Sequence, residues 1–246
     1  VTQPVRPSTS RRLLGWAVHA YTASGLVLAA WIASLLFQPD RTPDTYRICF
    51  LLMLAGFVID ATDGVLARWV RIKEAVPEFD GRRLDDLVDF VMYTCLPLVL
   101  IDRAGLLPPD GRWVLIVALV ASAYGFSQAD AKTTDGSFIG FPSYWNVVAF
   151  YLYAWPLVGW VAVRNILFLA VLTLVPIRYP YPTQPGRVNR WMLVLGVPWG
   201  VLVLVALLQP WAEGVPHNIV IVSAVYPAIY LWSGWVMAAR RFVVQQ

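Results

Sequence analysis

The chain has 246 residues, 59% of them hydrophobic and 14% charged, with a mean hydropathy of +0.61. That composition belongs to an integral membrane protein and excludes a soluble globular domain or a disordered chain. The net charge of +4 comes from basic residues that flank apolar runs instead of forming one patch, which favours membrane orientation over nucleic-acid binding. At roughly 20 residues per crossing, the length accommodates about eight transmembrane helices with short loops. The expected fold is an all-α polytopic membrane bundle, one domain over 1–246, with 1–12 as a loose cytoplasmic tail.

The first apolar run lacks a clear small-residue cleavage site and is long enough to span, so no cleavable signal is expected. It covers 16–37. Its entrance carries His19, Tyr21, Thr22, Ser24 and Gly25, polar or small residues unusual at a lipid contact, although helix packing also accounts for Ser24 and Gly25. A short Pro-containing loop leads to a second span over 45–69. Cys49 and Cys95 lie in separate apolar runs and have neither a disulfide framework nor a metal spacing.

The chemistry concentrates in 60–89. This stretch holds eight of the chain's 15 acidic residues: Asp60, Asp63, Glu74, Glu78, Asp80, Asp85, Asp86 and Asp89. At about 100° per helical residue, Asp60, Asp63, Gly64, Ala67 and Arg68 fall within an arc of roughly 140°. Asp85 and Asp89, four apart on a third span over 81–101, also share a face. Facing each other, the two helices offer four carboxylates to one point. Such charges repel unless neutralised. Oxygen ligands with no His or Cys beside them suggest a hard divalent ion, Mg²⁺ or Mn²⁺, one or two of them, and such ions commonly accompany phosphate. Gly64 would let a phosphate or nucleotide approach the helix backbone, Ala67 leaves room for it, and Arg68 would pair with phosphate. Helix packing is the alternative for the small residues, and snorkelling for Arg68. Glu74, Glu78 and Asp80 lie in a polar stretch broken by Pro77 and read as solvated loop charges.

Further spans follow over 113–131, 143–161, 166–177, 191–209 and 218–239, with Arg164 and Asn165 expected at the connection between the fifth and sixth. The run 166–177 is short for a full crossing. The last two spans hold almost no ionisable groups and suit bundle packing or a homodimer contact. With the N-terminus cytoplasmic, 14 of the 19 Lys and Arg residues lie inside, leaving Arg41, Arg47, Arg103, Arg112 and Arg164 outside. The carboxylates then face the cytoplasm.

Asp60-x2-Asp63-Gly64-x2-Ala67-Arg68 followed by Gly81-x3-Asp85-x3-Asp89 closely resembles the signature of the CDP-alcohol phosphotransferases, membrane enzymes that exchange the CMP of a CDP-alcohol for a second alcohol. Most members have eight residues between the Ala-Arg pair and the next glycine; twelve lie between Arg68 and Gly81 here. The longer gap looks like the choline-using bacterial branch, as do the runs 18–25 and 130–146.

The resemblance implies that Asp60, Asp63, Asp85 and Asp89 hold the metal, that Asp89 is also the general base, and that Gly64, Ala67, Arg68, Gly81, Thr22 and Ser24 lie at the CDP group. CDP-diacylglycerol and choline would be the substrates and CMP a product. A quaternary ammonium has no N–H to donate and is best held by aromatic faces helped by a carboxylate. Tyr124, Phe126, Asp130, Tyr144, Trp145 and Asn146, with Ser143, are the candidates, while interfacial belts and packing also use such aromatics. Serine, inositol or glycerol 3-phosphate stays open as acceptor. An ion-coupled transporter is a rival of another class, against which stand the one-sided carboxylates and the lack of a two-half repeat.

Overall fold

The computed structural model describes residues 8–128, 137–155, 157–182 and 186–244. Asp130 lies outside them. Helix α1 spans Thr9–Leu36 and starts at Ser8, whose hydroxyl accepts the Arg11 N–H. Arg11 and Arg12, expected within a loose tail, are helical, and their side chains pair with Glu74 at 2.8 Å and with Glu78. Helix α2 spans Pro43–Val70, opened by a reciprocal Thr42–Thr45 capping box with proline at its start and closed by Arg71 in the left-handed region at φ 52°.

A single turn, α3 (Ile72–Ala75), precedes a rod made of α4 (Gly81–Asp89), a π-helical segment (Phe90–Cys95) and α5 (Leu96–Arg103). Next come α6 (Trp113–Ser127), β1 (Ser137–Ile139), α7 (Trp145–Ala154), α8 (Trp160–Leu174), β2 (Arg178–Pro180), α9 (Arg187–Leu208), α10 (His217–Ser223) and α11 (Val225–Val244). The two strands pair antiparallel, Phe138 opposite Tyr179, and add a small β element to the helical bundle.

Among the described residues, four helices, Thr9–Leu36, Pro43–Val70, Arg187–Leu208 and His217–Met237, are long and apolar enough to cross a membrane. No more than a third of the most apolar window of any of them is buried. Large side chains such as Val27, Trp31, Val197 and Trp232 instead point outward, as a bilayer requires and water penalises. The chain is a helical membrane protein.

The fifth expected span is shorter than the sequence suggested. Helix α7 stops at Ala154, and Gly159, at φ 67°, turns the chain and donates its N–H to Leu106 O at 2.8 Å. Arg164 and Asn165, expected in a connection, consequently lie inside α8.

The core runs through Ile32, Leu36, Cys49, Leu100, Ile101, Val114, Trp145 and Trp211. At the end of the bundle where α2 begins, Asp44 accepts from Arg47 at 2.6 Å and from the Trp211 N–H at 3.0 Å. That pins the start of α2 to the turn after α9 and so sets the depth of its carboxylates.

The twelve-residue connection between Arg68 and Gly81 is a folded strap. Ala75 and Val76 are fully enclosed against Val18 and Val70. Gly15 makes that approach feasible, because a Cβ there would stand 2.6 Å from Val76 Cγ2. Glu74 and Glu78 tie the strap to α1, and Asp80 caps α4 by accepting the Arg83 N–H at 3.3 Å. These acids are solvent-exposed, as expected of solvated charges, and they also pair with α1 and cap α4 in the connection that leads into the second carboxylate pair.

A candidate carboxylate site between two helices

Asp60 and Asp63 sit in the C-terminal half of α2, and Asp85 and Asp89 on α4. Two glycines let the helices close: a Cβ on Gly25 of α1 would stand 2.6 Å from Val88 Cγ1, and one on Gly56 of α2 would run into Met92. Asp60, Asp85 and Asp89, each half-buried, then present oxygens that all lie within 4.8 Å of one another. Asp63 lines the same cleft but stands outside this trio. It is buried, and its Oδ2 accepts the Thr22 hydroxyl at 2.7 Å, which brings α1 into the site.

The structure adds a residue that motif reading missed. Tyr93 donates its hydroxyl to Asp60 Oδ2 at 2.8 Å. Its placement follows from Pro97, which lacks the N–H that would bond the Tyr93 carbonyl in a regular helix. The chain widens, the Leu96 N–H reaching Val91 O, and the π segment turns Tyr93 toward α2. The signal was in the sequence: Asp85, Asp89 and Tyr93 recur every four residues ahead of a proline.

The two motif glycines differ. A Cβ on Gly64 would meet only an Arg68 guanidinium nitrogen, at 3.4 Å, so the backbone there is open to a ligand. A Cβ on Gly81 would stand 2.5 Å from His19 Cε1. The space at Gly81 is filled by an imidazole. His19 is buried, its Nε2 has no hydrogen-bond partner, and its ring packs between Phe79 at 4.4 Å and Trp16 at 5.9 Å.

Of the remaining candidates, Ala67 is half-buried on the α2 face and Arg68 is exposed beyond it. The Ser24 hydroxyl donates to Tyr21 O at 2.6 Å, within its own helix. Tyr144 is near the carboxylates, with Asp60 and Asp89 in its electrostatic surroundings. Tyr124 is exposed in an apolar groove with Ile116, Val120 and Leu174. Phe126 packs edge-on against Phe90 at 5.4 Å. Trp145 is fully enclosed and donates its indole N–H to Ser122 at 2.7 Å; Ser143, also buried, stands just before it. Asn146 Oδ1 accepts the Val147 N–H at 2.9 Å.

The trio suits a hard divalent cation. Bonds of about 2.1 Å set opposite oxygens of an octahedral site about 4.2 Å apart, within a small side-chain movement of the spacing found. Clustered carboxylates in a partly desolvated cleft also need such a charge to stay ionised together.

A helical membrane protein with a divalent-cation-ready carboxylate cleft has the parts of a membrane-embedded phosphoryl-group transferase. The comparisons narrow this. The chain is 39% identical over 178 residues to a phosphatidylcholine synthase of Pseudomonas aeruginosa, covering 72% of this chain and 71% of that protein. It is 35% identical to one of Legionella pneumophila, over 74% of this chain and 71% of the relative. To one of Bradyrhizobium diazoefficiens it is 34% identical over 244 residues, 97% of this chain and 86% of the relative. No family model matches. The chain belongs to the phosphatidylcholine synthase family, consistent with the CDP-alcohol phosphotransferase signature.

Proposed function

We propose that the protein transfers the phosphatidyl group of CDP-diacylglycerol to choline and releases CMP. The observation that carries this reading is the convergence of Asp60, Asp85 and Asp89 from two helices onto one point. Asp60, Asp85 and Asp89 would hold Mg²⁺ or Mn²⁺, with Asp63 at the same cleft. When bound, the ion neutralises the cluster and polarises phosphate oxygens.

The open backbone at Gly64 receives the diphosphate, Ala67 leaves space beside it, and Arg68 pairs with its charge. Thr22 holds Asp63 in place through its hydroxyl. Asp89 takes the proton from the acceptor hydroxyl as that oxygen attacks the lipid-linked phosphorus, and the bond to CMP breaks. His19 fills the space at Gly81, so the cytidine approaches α4 against an imidazole wall.

We infer an eight-span protein of the bacterial inner membrane with its site facing the cytoplasm, a reading supported by the four long apolar helices and by the carboxylates lying near the end that carries most of the basic residues. The test uses purified protein in detergent with CDP-diacylglycerol and Mn²⁺ or Mg²⁺, measuring CMP release with choline, serine, inositol or glycerol 3-phosphate. Choline-dependent release abolished by chelator supports the reading. Release with another acceptor alone keeps the chemistry and removes the choline assignment.

A further inference from the structure

Three tyrosine rings run outward from the carboxylates. Tyr93, on the π segment, donates to Asp60 at 2.8 Å. Its ring centroid lies 6.2 Å from that of Tyr144, edge to face, at the start of α7. Tyr144 in turn lies 6.0 Å from Tyr230 of α11. Behind Tyr230, Tyr179 stacks at 5.8 Å, and the Tyr230 hydroxyl donates to Pro180 O at 3.1 Å. The strand pair β1–β2 therefore fixes the far ring, and the carboxylates fix the near one.

We propose that Tyr93 and Tyr144, backed by Tyr230, form the subsite for the quaternary ammonium of the acceptor alcohol, beside Asp89. This rests on the choline reading above. A trimethylated ammonium offers no hydrogen-bond donor, so it is recognised through the negative faces of aromatic rings and through nearby anionic charge. Tyr93 lends its hydroxyl to Asp60, so its ring and not its oxygen is what the cation would meet; Tyr230, stacked on Tyr179 and donating to Pro180 O, backs Tyr144.

Reach decides among the aromatics. The reacting hydroxyl of choline is two carbons from its nitrogen, so the cation must bind next to the residue that takes the proton. Tyr93 lines the cleft together with Asp89, and Tyr144 packs against Tyr93 at 6.2 Å. Tyr124 faces an outer apolar groove, and Trp145 is enclosed and tied to Ser122. The attraction also gains from the setting, since a cation held by rings is stabilised more in a desolvated site than at an exposed one.

The test is steady-state kinetics on the full-length protein in detergent, with Tyr144→Leu and Tyr144→Phe beside wild type. Tetramethylammonium serves as a probe that carries the cation without the hydroxyl. Tyr144→Leu is expected to raise the KM for choline about tenfold, roughly 1.4 kcal/mol, and to weaken inhibition by tetramethylammonium equally. The KM for CDP-diacylglycerol should stay within about twofold, and Tyr144→Phe, which keeps the ring face, should stay near wild type.

An unchanged choline KM in Tyr144→Leu would overturn the subsite and leave the choline reading intact. So would equal losses in Tyr144→Leu and Tyr144→Phe accompanied by a lower thermal midpoint, because Tyr144 would then be a packing residue. A wild-type protein that uses another acceptor and ignores choline would overturn both.

Discussion

The two walls of the cleft carry similar chemistry on unlike scaffolds. On α2, Asp60, Asp63 and Gly64 ride an unbroken helix of 28 residues whose start is pinned by its capping box and by Asp44. On the other side, Asp85 and Asp89 sit on a nine-residue helix that is capped by Asp80, fed by a folded strap and followed by a π segment. The first wall is rigid by length, the second by what packs on it. Their glycines differ in the same sense: open at Gly64, occupied by His19 at Gly81. A ligand can therefore approach α2 directly, whereas the start of α4 is covered by the imidazole of His19 and the rings of Trp16 and Phe79.

The largest expected effect falls where the walls meet. Asp89→Asn should lower choline-dependent CMP release by about 10²- to 10⁴-fold, the range for losing a general base, with the folded fraction by size-exclusion chromatography unchanged. Retained activity would remove Asp89 from the proton transfer.

The glycine contrast is broken next. Gly81→Ala should cost about 1–3 kcal/mol in thermal or denaturant unfolding, because its methyl group collides with the His19 ring. Adding His19→Ala should restore much of that loss. Gly64→Ala, whose Cβ meets only Arg68, should unfold near wild type yet raise the KM for CDP-diacylglycerol. If Gly64→Ala destabilised the fold as much as Gly81→Ala, the difference between the two walls would disappear.

The strap gives the smallest effects. Arg12→Ala removes a pair whose two side chains are each 46% exposed, so the expected loss is about 0.2–1 kcal/mol. Val76→Asp, by contrast, places a charge at a fully enclosed position and should unfasten the strap, read as faster proteolysis between α2 and α4.

What could be read from the sequence follows the range of each signal. Helical spacing brings Asp60 with Asp63 and Asp85 with Asp89 onto common faces, and long apolar runs mark the first two and last two spans, because both signals are local. The strap was masked by its charges and Pro77, although Ala75 and Val76 lie fully enclosed within it. The filling of Gly81 by His19 joins positions 62 apart, and Tyr230 reaches Tyr144 only through the fold of α11. Contacts of that range leave no periodic trace. The early end of α7 escaped for another reason: its apolar run continues through the turn at Gly159, so hydropathy alone carried the helix too far.

The most direct test of two walls serving one ion is Mn²⁺ binding in detergent, followed by the loss of the free-ion paramagnetic signal, for wild type, Asp60→Asn and Asp85→Asn. A shared site predicts that both substitutions weaken the same binding event to a similar degree. If Asp85→Asn left Mn²⁺ affinity unchanged while Asp60→Asn abolished it, the two helices would not hold a common ion.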